Sequence, residues 1–182
     1  MNRIRFSILL ILAIALTLAL PSGNSCQAEP SREYVVKAAF LYNFAQFVEW
    51  PSDAFSSPEA PIIIGVVGED PFGGVLEQAV RDKKIGGRPL IIQRFRDVGS
   101  LRFCHILYVA PSEADNANQI IAKVGSLTLA VGDFESFTAK GGTFRFLLED
   151  NRVRFEVNVA STRNLRIKIS SKLLKLARVY GQ

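Results

Sequence analysis

The sequence predicts an α/β domain: a three-layer α/β/α sandwich with a largely parallel sheet, an antiparallel hairpin and a C-terminal helix. Three observations predict it. A strand pattern followed by a helical pattern occurs three times in succession, the order that gives a parallel sheet with helices on both faces. Ile62 to Val67 is continuously apolar and rich in β-branched residues, as a strand covered on both faces must be. Late in the chain, Thr143 to Leu148 and Arg152 to Val159 are β-rich runs separated by Glu149-Asp150-Asn151, which reads as a hairpin with a three-residue loop.

Ahead of this domain, residues 1–28 read as a signal peptide. Arg3 and Arg5 form a positive start, and Phe6 to Leu20 is apolar except for Ser7 and Thr17. That run is shorter than the ~20 residues a spanning helix needs. Pro21, Ser22 and Gly23 break it, and Cys26-Gln27-Ala28 offers a small-x-Ala end, which places cleavage after Ala28. The alternatives are a retained anchor and lipidation at Cys26, but Gly23-Asn24-Ser25 lacks the aliphatic residue expected ahead of a lipidated cysteine. Cleavage leaves residues 29–182 as a single domain. It removes two of the 22 basic residues and none of the 17 acidic ones, lowering the formal net charge from +5 to about +3. That mild excess is no nucleic-acid footprint, which needs clustered Lys and Arg. A chain of this size buries roughly 68–70% of its unfolded surface, enough for a core without staples.

The elements follow in order. Tyr34 to Trp50 reads as a helix with Phe40, Phe44, Phe47 and Val48 on one stripe. Ser31 is its N-cap, and Pro51 ends it. After the strand Ile62 to Val67, Asp70 caps a helix with Pro71 at its first position and Phe72, Val75, Leu76 and Val80 inward. Ile85 to Pro89 turns into a second strand, Leu90 to Ile92. A third strand spans His105 to Ala110. Pro111 opens a helix running through Val124, and Leu127 to Val131 is a fourth strand. In the hairpin's second run, Val153, Phe155, Val157 and Val159 face the core, while Arg152, Arg154, Glu156 and Asn158 form a polar outer face. Leu165 to Ile169 alternates as a short extra strand. Ser170 to Tyr180 is the last helix, with Leu173, Leu174, Leu176 and Ala177 inward.

Catalytic chemistry is hard to assemble from these residues. His105 is the only histidine, and Cys104 the only cysteine left after cleavage. Adjacent strand residues point to opposite faces, so the two form no nucleophile pair. One histidine and one cysteine cannot build a zinc site of the usual kind. Cys104 is expected to be buried and inert. The Gly68-Glu69-Asp70-Pro71 passage lies where a phosphate would bind, but its two carboxylates would repel one, and its spacing fits no phosphate-binding motif. Gly141-Gly142 reads as a tight turn. No catalytic residue, metal or cofactor is assigned.

The candidate site is a docking surface. Glu156 and Asn158 share the outer face of the last strand, and Arg163, Arg166 and Lys168 follow at once. A polar ladder beside an extended edge is a common protein-docking surface. Trp50, the only tryptophan, is a second candidate, because tryptophan is enriched at binding hot spots; the same residue also serves as a core plug.

Several motifs together resemble the YfiR family. They are Lys37-Ala38-Ala39-Phe40-Leu41-Tyr42-Asn43-Phe44 running to Phe47-Val48-Glu49-Trp50-Pro51, then Gly68-Glu69-Asp70-Pro71-Phe72-Gly73, Cys104-His105-Ile106-Leu107, Gly141-Gly142, Arg154-Phe155-Glu156-Val157-Asn158, and Ser170-Ser171-Lys172-Leu173-Leu174-Lys175-Leu176-Ala177. The resemblance spans the mature chain. It implies a periplasmic, non-catalytic, often dimeric α/β protein without a cofactor. It also implies a partner: an inner-membrane diguanylate cyclase, repressed through its periplasmic region. An outer-membrane lipoprotein would sequester the repressor, raising cyclic-di-GMP and biofilm formation. The cysteines depart from the family's repressor, which carries disulfide pairs, whereas Cys104 has no mate. On this reading Glu156, Asn158, Arg163, Lys168 and Trp50 contribute to docking. The alternative expectation is a small-ligand sensor whose site is lined by the loops after Val67 and Ala110, at the carboxyl ends of the strands.

Overall fold

The computed structural model describes residues 31–181; the expected signal peptide, with Cys26 and the cleavage point after Ala28, lies outside them. Helix α1 (Arg32–Phe47) passes into β1 (Val48–Glu49), and the chain enters the main sheet at β2 (Ile62–Val67). Helix α2 (Val75–Val80) leads to a tight hairpin of β3 (Lys84–Ile85) and β4 (Arg88–Phe95). Then come β5 (Ile106–Val109), α3 (Ala117–Lys123) and β6 (Leu129–Gly132). A second hairpin joins β7 (Phe144–Glu149) to β8 (Arg152–Val157), and α4 (Val159–Thr162), β9 (Lys168–Ile169), α5 (Ser171–Leu174) and β10 (Arg178–Val179) complete the chain.

Eight strands form the main sheet in the order β10-β8-β7-β6-β5-β2-β4-β3. The five central strands, β4, β2, β5, β6 and β7, are parallel. β8 runs antiparallel to β7, β3 antiparallel to β4, and β10 parallel to β8. The central order is that of a doubly wound sheet, whose strand progression reverses between β2 and β5. The expected α/β architecture, with its parallel sheet and antiparallel hairpin, is therefore present.

Strand alternation divides the core in two. Ile62, Ile64 and Val66 face the core under α1, α2 and the C-terminal segment. Val67, Leu107 and Val109 face a smaller core with Ile120 of α3 and Phe137. In the larger core α1 is held by aromatic packing. The ring of Phe44 lies 5.1 Å from that of Phe144 and 5.0 Å from that of Phe155, both edge-on, and Phe40 meets Phe155 at 5.7 Å. Such pairs add about 0.5–1.5 kcal/mol each beyond the area they bury.

Several boundaries differ from the sequence expectation, each for a physical reason. α1 stops at Phe47, because Val48 and Glu49 pair with Ile169 and Lys168 in a separate two-stranded ladder. Ser31 makes no side-chain cap. Asp70 is not a helix N-cap: its Oδ1 accepts the Phe72 N–H at 2.7 Å in a turn, and α2 starts only at Val75. The segment from Pro111 breaks into a 3-10 turn and the shorter α3. The hairpin loop has two residues, Asp150 and Asn151, both at positive φ (48° and 58°), the geometry whose twist matches that of the flanking strands. The long final helix is replaced by α5 and β10, which leaves Leu176 71% exposed rather than inward. The outer face of β8 is not open throughout, since Glu156 is only 6% exposed.

Phe137 shows how the smaller core is closed. It is fully buried, and a Cβ placed on Gly132 or on Gly142 would overlap its ring. Gly142 therefore serves close approach rather than the turn, and Gly141, at φ +97°, supplies the turn. Gly132→Ala and Gly142→Ala should each destabilise the fold by about 1–3 kcal/mol through overpacking, read as a lower urea midpoint with an unchanged slope.

Candidate docking face and buried polar groups

The five residues expected to dock separate into two groups. Glu156 and Asn158 fasten the chain to itself. The Glu156 carboxylate accepts from Arg145 Nε at 2.8 Å and Nη2 at 3.1 Å, and from the Thr138 hydroxyl at 2.5 Å. Asn158 Nδ2 donates to the Thr138 carbonyl at 2.9 Å, and its Oδ1 accepts the Ser161 N–H at 3.1 Å, capping α4. Arg145 also donates to the Glu135 carbonyl. Together these bonds bind the loop of residues 134–141 over β7 and β8.

Trp50, Arg163 and Lys168 lie on separate segments toward the other end, where the parallel strands begin. Trp50 is half-buried, and its indole N–H donates to the Leu127 carbonyl at 2.9 Å. Lys168 lies opposite Glu49 in the β1–β9 ladder. The Arg166 backbone N–H bonds the Ser126 carbonyl, and its guanidinium pairs with Asp53 at 2.5 Å. Arg163 ends α4 and is exposed. Beside them a groove of about 470 Å³ runs between residues 101–103 and 123–128. Phe103, 44% exposed, stands on one wall. A smaller groove of about 210 Å³ shares Val124, Gly125 and Ser126 and reaches Asn164 and Leu165. Arg102 and Lys123 flank the larger groove and donate only to backbone carbonyls of residues 98–101. Their charge is thus not cancelled by a carboxylate among the described residues. An apolar slot with a cationic rim can take an acidic, aromatic-bearing segment of another protein.

His105 supports this end of the sheet from inside. Its Nδ1 accepts the Ile63 N–H at 3.0 Å, so the neutral ring carries its proton on Nε2, which has no hydrogen-bond partner. The ring stacks on Phe55 at 4.6 Å and meets Phe103 at 4.9 Å and Trp50 at 5.4 Å. Burial first, against a raising contribution from the Ala54 carbonyl and with a smaller push from the nearby Arg88 cation, brings its pKa down to about 4. Cys104 points to the opposite face, into the smaller core, and burial pushes its thiol up to about 12. The pair is no catalytic dyad. Among the described residues no group of three or more His, Cys, Asp or Glu could hold a metal ion, and no helix is long and apolar enough to cross a membrane.

At the carboxyl end of the sheet the crevice between β2 and β5 is filled. A Cβ on Gly68 would lie 2.5 Å from Ser112 Oγ and 2.7 Å from Glu113 Cγ, and the Glu69 N–H donates to Ser112 Oγ. The loops after Val67 and Ala110 are therefore in direct contact at Gly68 and Ser112. Close by is a cluster that sequence reasoning missed. Lys37 of α1 is 2% exposed, and its ammonium meets both Asp133 oxygens at 2.6 Å and pairs with Glu33. The Tyr108 hydroxyl donates to Asp133 at 2.8 Å. Burial first, then Asp133, raises the Tyr34 phenol to about 12 and Tyr108 well above its ordinary value. The signal was present: Lys37 shares the inner stripe of α1 with Leu41, Phe44 and Ala45, and a lysine there requires a carboxylate.

The sequence model of one family matches residues 34–178. The chain belongs to the YfiR/HmsC-like family. No curated protein matches it. YfiR/HmsC-like proteins are regulators rather than catalysts. In this member the matched region runs from α1 to β10 and includes both the cationic end of the sheet and the buried lysine.

Two outcomes follow for this YfiR/HmsC-like chain. Removing the Asp133 carboxylate by Asp133→Ala strips Lys37 of its main partner and should cost about 3–5 kcal/mol, the usual penalty for breaking a buried ion pair, measured by denaturant unfolding. His105 has a folded pKa of about 4 against an ordinary 6.5, so between those values the unfolded chain binds the extra proton. Stability contributed by the neutral ring is full above pH 6.5 and is lost as the pH falls toward 4. The unfolding midpoint should decline across that window, and His105→Gln should flatten the decline.

Proposed function

We propose that this protein is an exported regulator that docks on the periplasmic region of an inner-membrane signalling protein of the diguanylate cyclase class and holds it inactive. Membership of the YfiR/HmsC-like family carries the reading. The docking face is the amino end of the sheet: Arg163 and Lys168 supply charge, the groove beside Phe103 takes an apolar side chain, and Trp50 stiffens its wall through Leu127. Glu156 and Asn158 act at one remove, by fixing the start of α4 from which Arg163 projects. Sequestration by an outer-membrane lipoprotein would free the cyclase and raise cyclic-di-GMP.

Cells expressing a membrane diguanylate cyclase with a periplasmic sensor region should show lower cyclic-di-GMP when this chain is co-expressed. The double variant Arg163→Glu, Lys168→Gln should lose that repression and bind the cyclase region more weakly. Because both side chains are exposed, its melting temperature should stay within a degree or two of the parent's, as for surface substitutions worth about 0.5 kcal/mol or less. Undiminished repression by a folded variant would place the docking face elsewhere.

A further inference from the structure

The sheet leaves one strand edge open beside a groove. β10 pairs only with Glu156 and Val157 of β8, so no strand lies beside Arg152 to Arg154 on their outer side among the described residues, and only the Arg178 side chain of β10 reaches that far, to the Glu149 carboxylate opposite Arg152. The Tyr180 N–H donates to the Val157 carbonyl, and the Asn158 N–H donates to the Thr143 carbonyl, each at 2.9 Å. Val157 therefore turns its backbone outward and Asn158 turns inward. By strand alternation Val153 also turns outward, and its N–H and C=O lie beyond the end of β10. The β7–β8 register is continuous, without bulge or proline, so two of the usual devices that blunt a sheet edge are missing.

The two faces of this edge differ in chemistry. On the α1 side a groove of about 660 Å³ lies between the helix and the hairpin tip, with Val36, Phe40, Leu148 and Val153 on its apolar walls. Leu148 is 53% exposed. Arg32 and the backbone turn at Arg152 also border the groove, while by alternation the Arg152 and Arg154 side chains belong to the other face, together with Glu149, which lies opposite Arg152 and pairs with Arg178; neither Arg152 nor Arg154 forms an ion pair among the described residues. Of the two acids at the groove, Glu33 is engaged with Lys37, and Asp150 sits at the hairpin tip.

We propose that the open edge of β8 is a second docking site, distinct from the cationic amino end, and that it takes an extended protein segment in which acidic and apolar residues alternate. Such a segment adds a strand beside Val153. Its apolar side chains enter the groove next to Val153 and Leu148, and its acidic ones lie on the opposite face, next to Arg152 and Arg154. Cross-strand neighbours on one face are close enough for this pairing to select sequence. A second copy of the chain does not suit the edge. Antiparallel pairing about Val153 would set Arg152 of one copy against Arg154 of the other, and pairing about Arg154 would set arginine against arginine.

The test is a titration of the folded chain with a blocked synthetic peptide alternating glutamate and leucine, followed by backbone amide exchange. A peptide alternating lysine and leucine is the control. The glutamate peptide should bind, slow exchange at Val153, and lose affinity as salt is raised. Arg152→Glu with Arg154→Glu should weaken it on the order of tenfold, as two exposed charge pairs would. Val153→Pro, which removes the outward N–H, should also weaken it. No binding, equal binding of the lysine peptide, or unchanged exchange at Val153 overturns the proposal. So does protection of Val153 without peptide: dependence on protein concentration would assign the edge to a second copy, and independence to a segment of the chain itself.

Discussion

A lysine ammonium cannot be left alone in a protein interior, and Lys37 is in the interior. It lies on the stripe of α1 that faces the sheet, one turn before Leu41 and two before Phe44 and Ala45. The helix can seat its phenylalanines against Phe144 and Phe155 only if the ammonium finds carboxylates at the same time. Asp133, at the end of β6, and Glu33, one turn back in α1, meet that need. The axial position and rotation of α1 follow from this pairing, and everything that leans on α1 depends on them. That includes the larger core, the start of β1 and the groove beside β8. Replacing the ion pair with apolar side chains of equal volume could match its stability. What the pair adds is a definite register for a helix whose aromatic stripe alone would tolerate small slides.

Carboxylates organise the far side of the sheet in the same way. Glu156 stands on the face away from α1, where alternation puts a polar residue, but the loop of residues 134–141 covers it and Arg145 neutralises it. Thr138 and Asn158 complete the arrangement. Phe137 in that loop is clamped between two glycines. A loop without regular structure is thereby held against the sheet by side chains, and it makes the connection from β6 to β7 that a crossover helix would make in a more regular doubly wound sheet.

The parts of this fold that are local patterns were legible in the sequence. The β-branched run of β2, the strand-then-helix repeats and the β7–β8 hairpin each announce themselves within a few residues. The parts that escaped are long-range. β1 and β10 are two residues each, and nothing in Val48–Glu49 or Arg178–Val179 marks them as strands until a partner more than twenty residues distant, or more than a hundred, supplies the hydrogen bonds, whereas the alternation of Leu165 to Ile169 did announce β9. The predicted final helix failed for that reason: pairing of Arg178 with Glu156 outweighs the helical tendency of the leucine-rich segment. Of the docking residues, alternation showed which face Glu156 occupies but not that the face is covered. The pairing of Trp50 with Leu127 likewise joins residues far apart in sequence. Lys37 was readable, because a charged residue on an apolar stripe implies a buried partner, though not which one.

The interlocking of the two chain ends bears on the order in which the protein is made. β1 is among the first residues of the domain to be synthesised, and its partner β9 is among the last; the Ser170 N–H bonds the Phe47 carbonyl at the same junction. The edge strand β10 comes later still. Closure of the β1–β9 ladder must therefore wait until most of this domain has been made. Contacts of such sequence separation slow folding, because the entropy of closing the loop must be met before they form. Until β9 is made, the junction between the end of α1 and the C-terminal segment stays open, although the strands from β2 to β6 already have their partners.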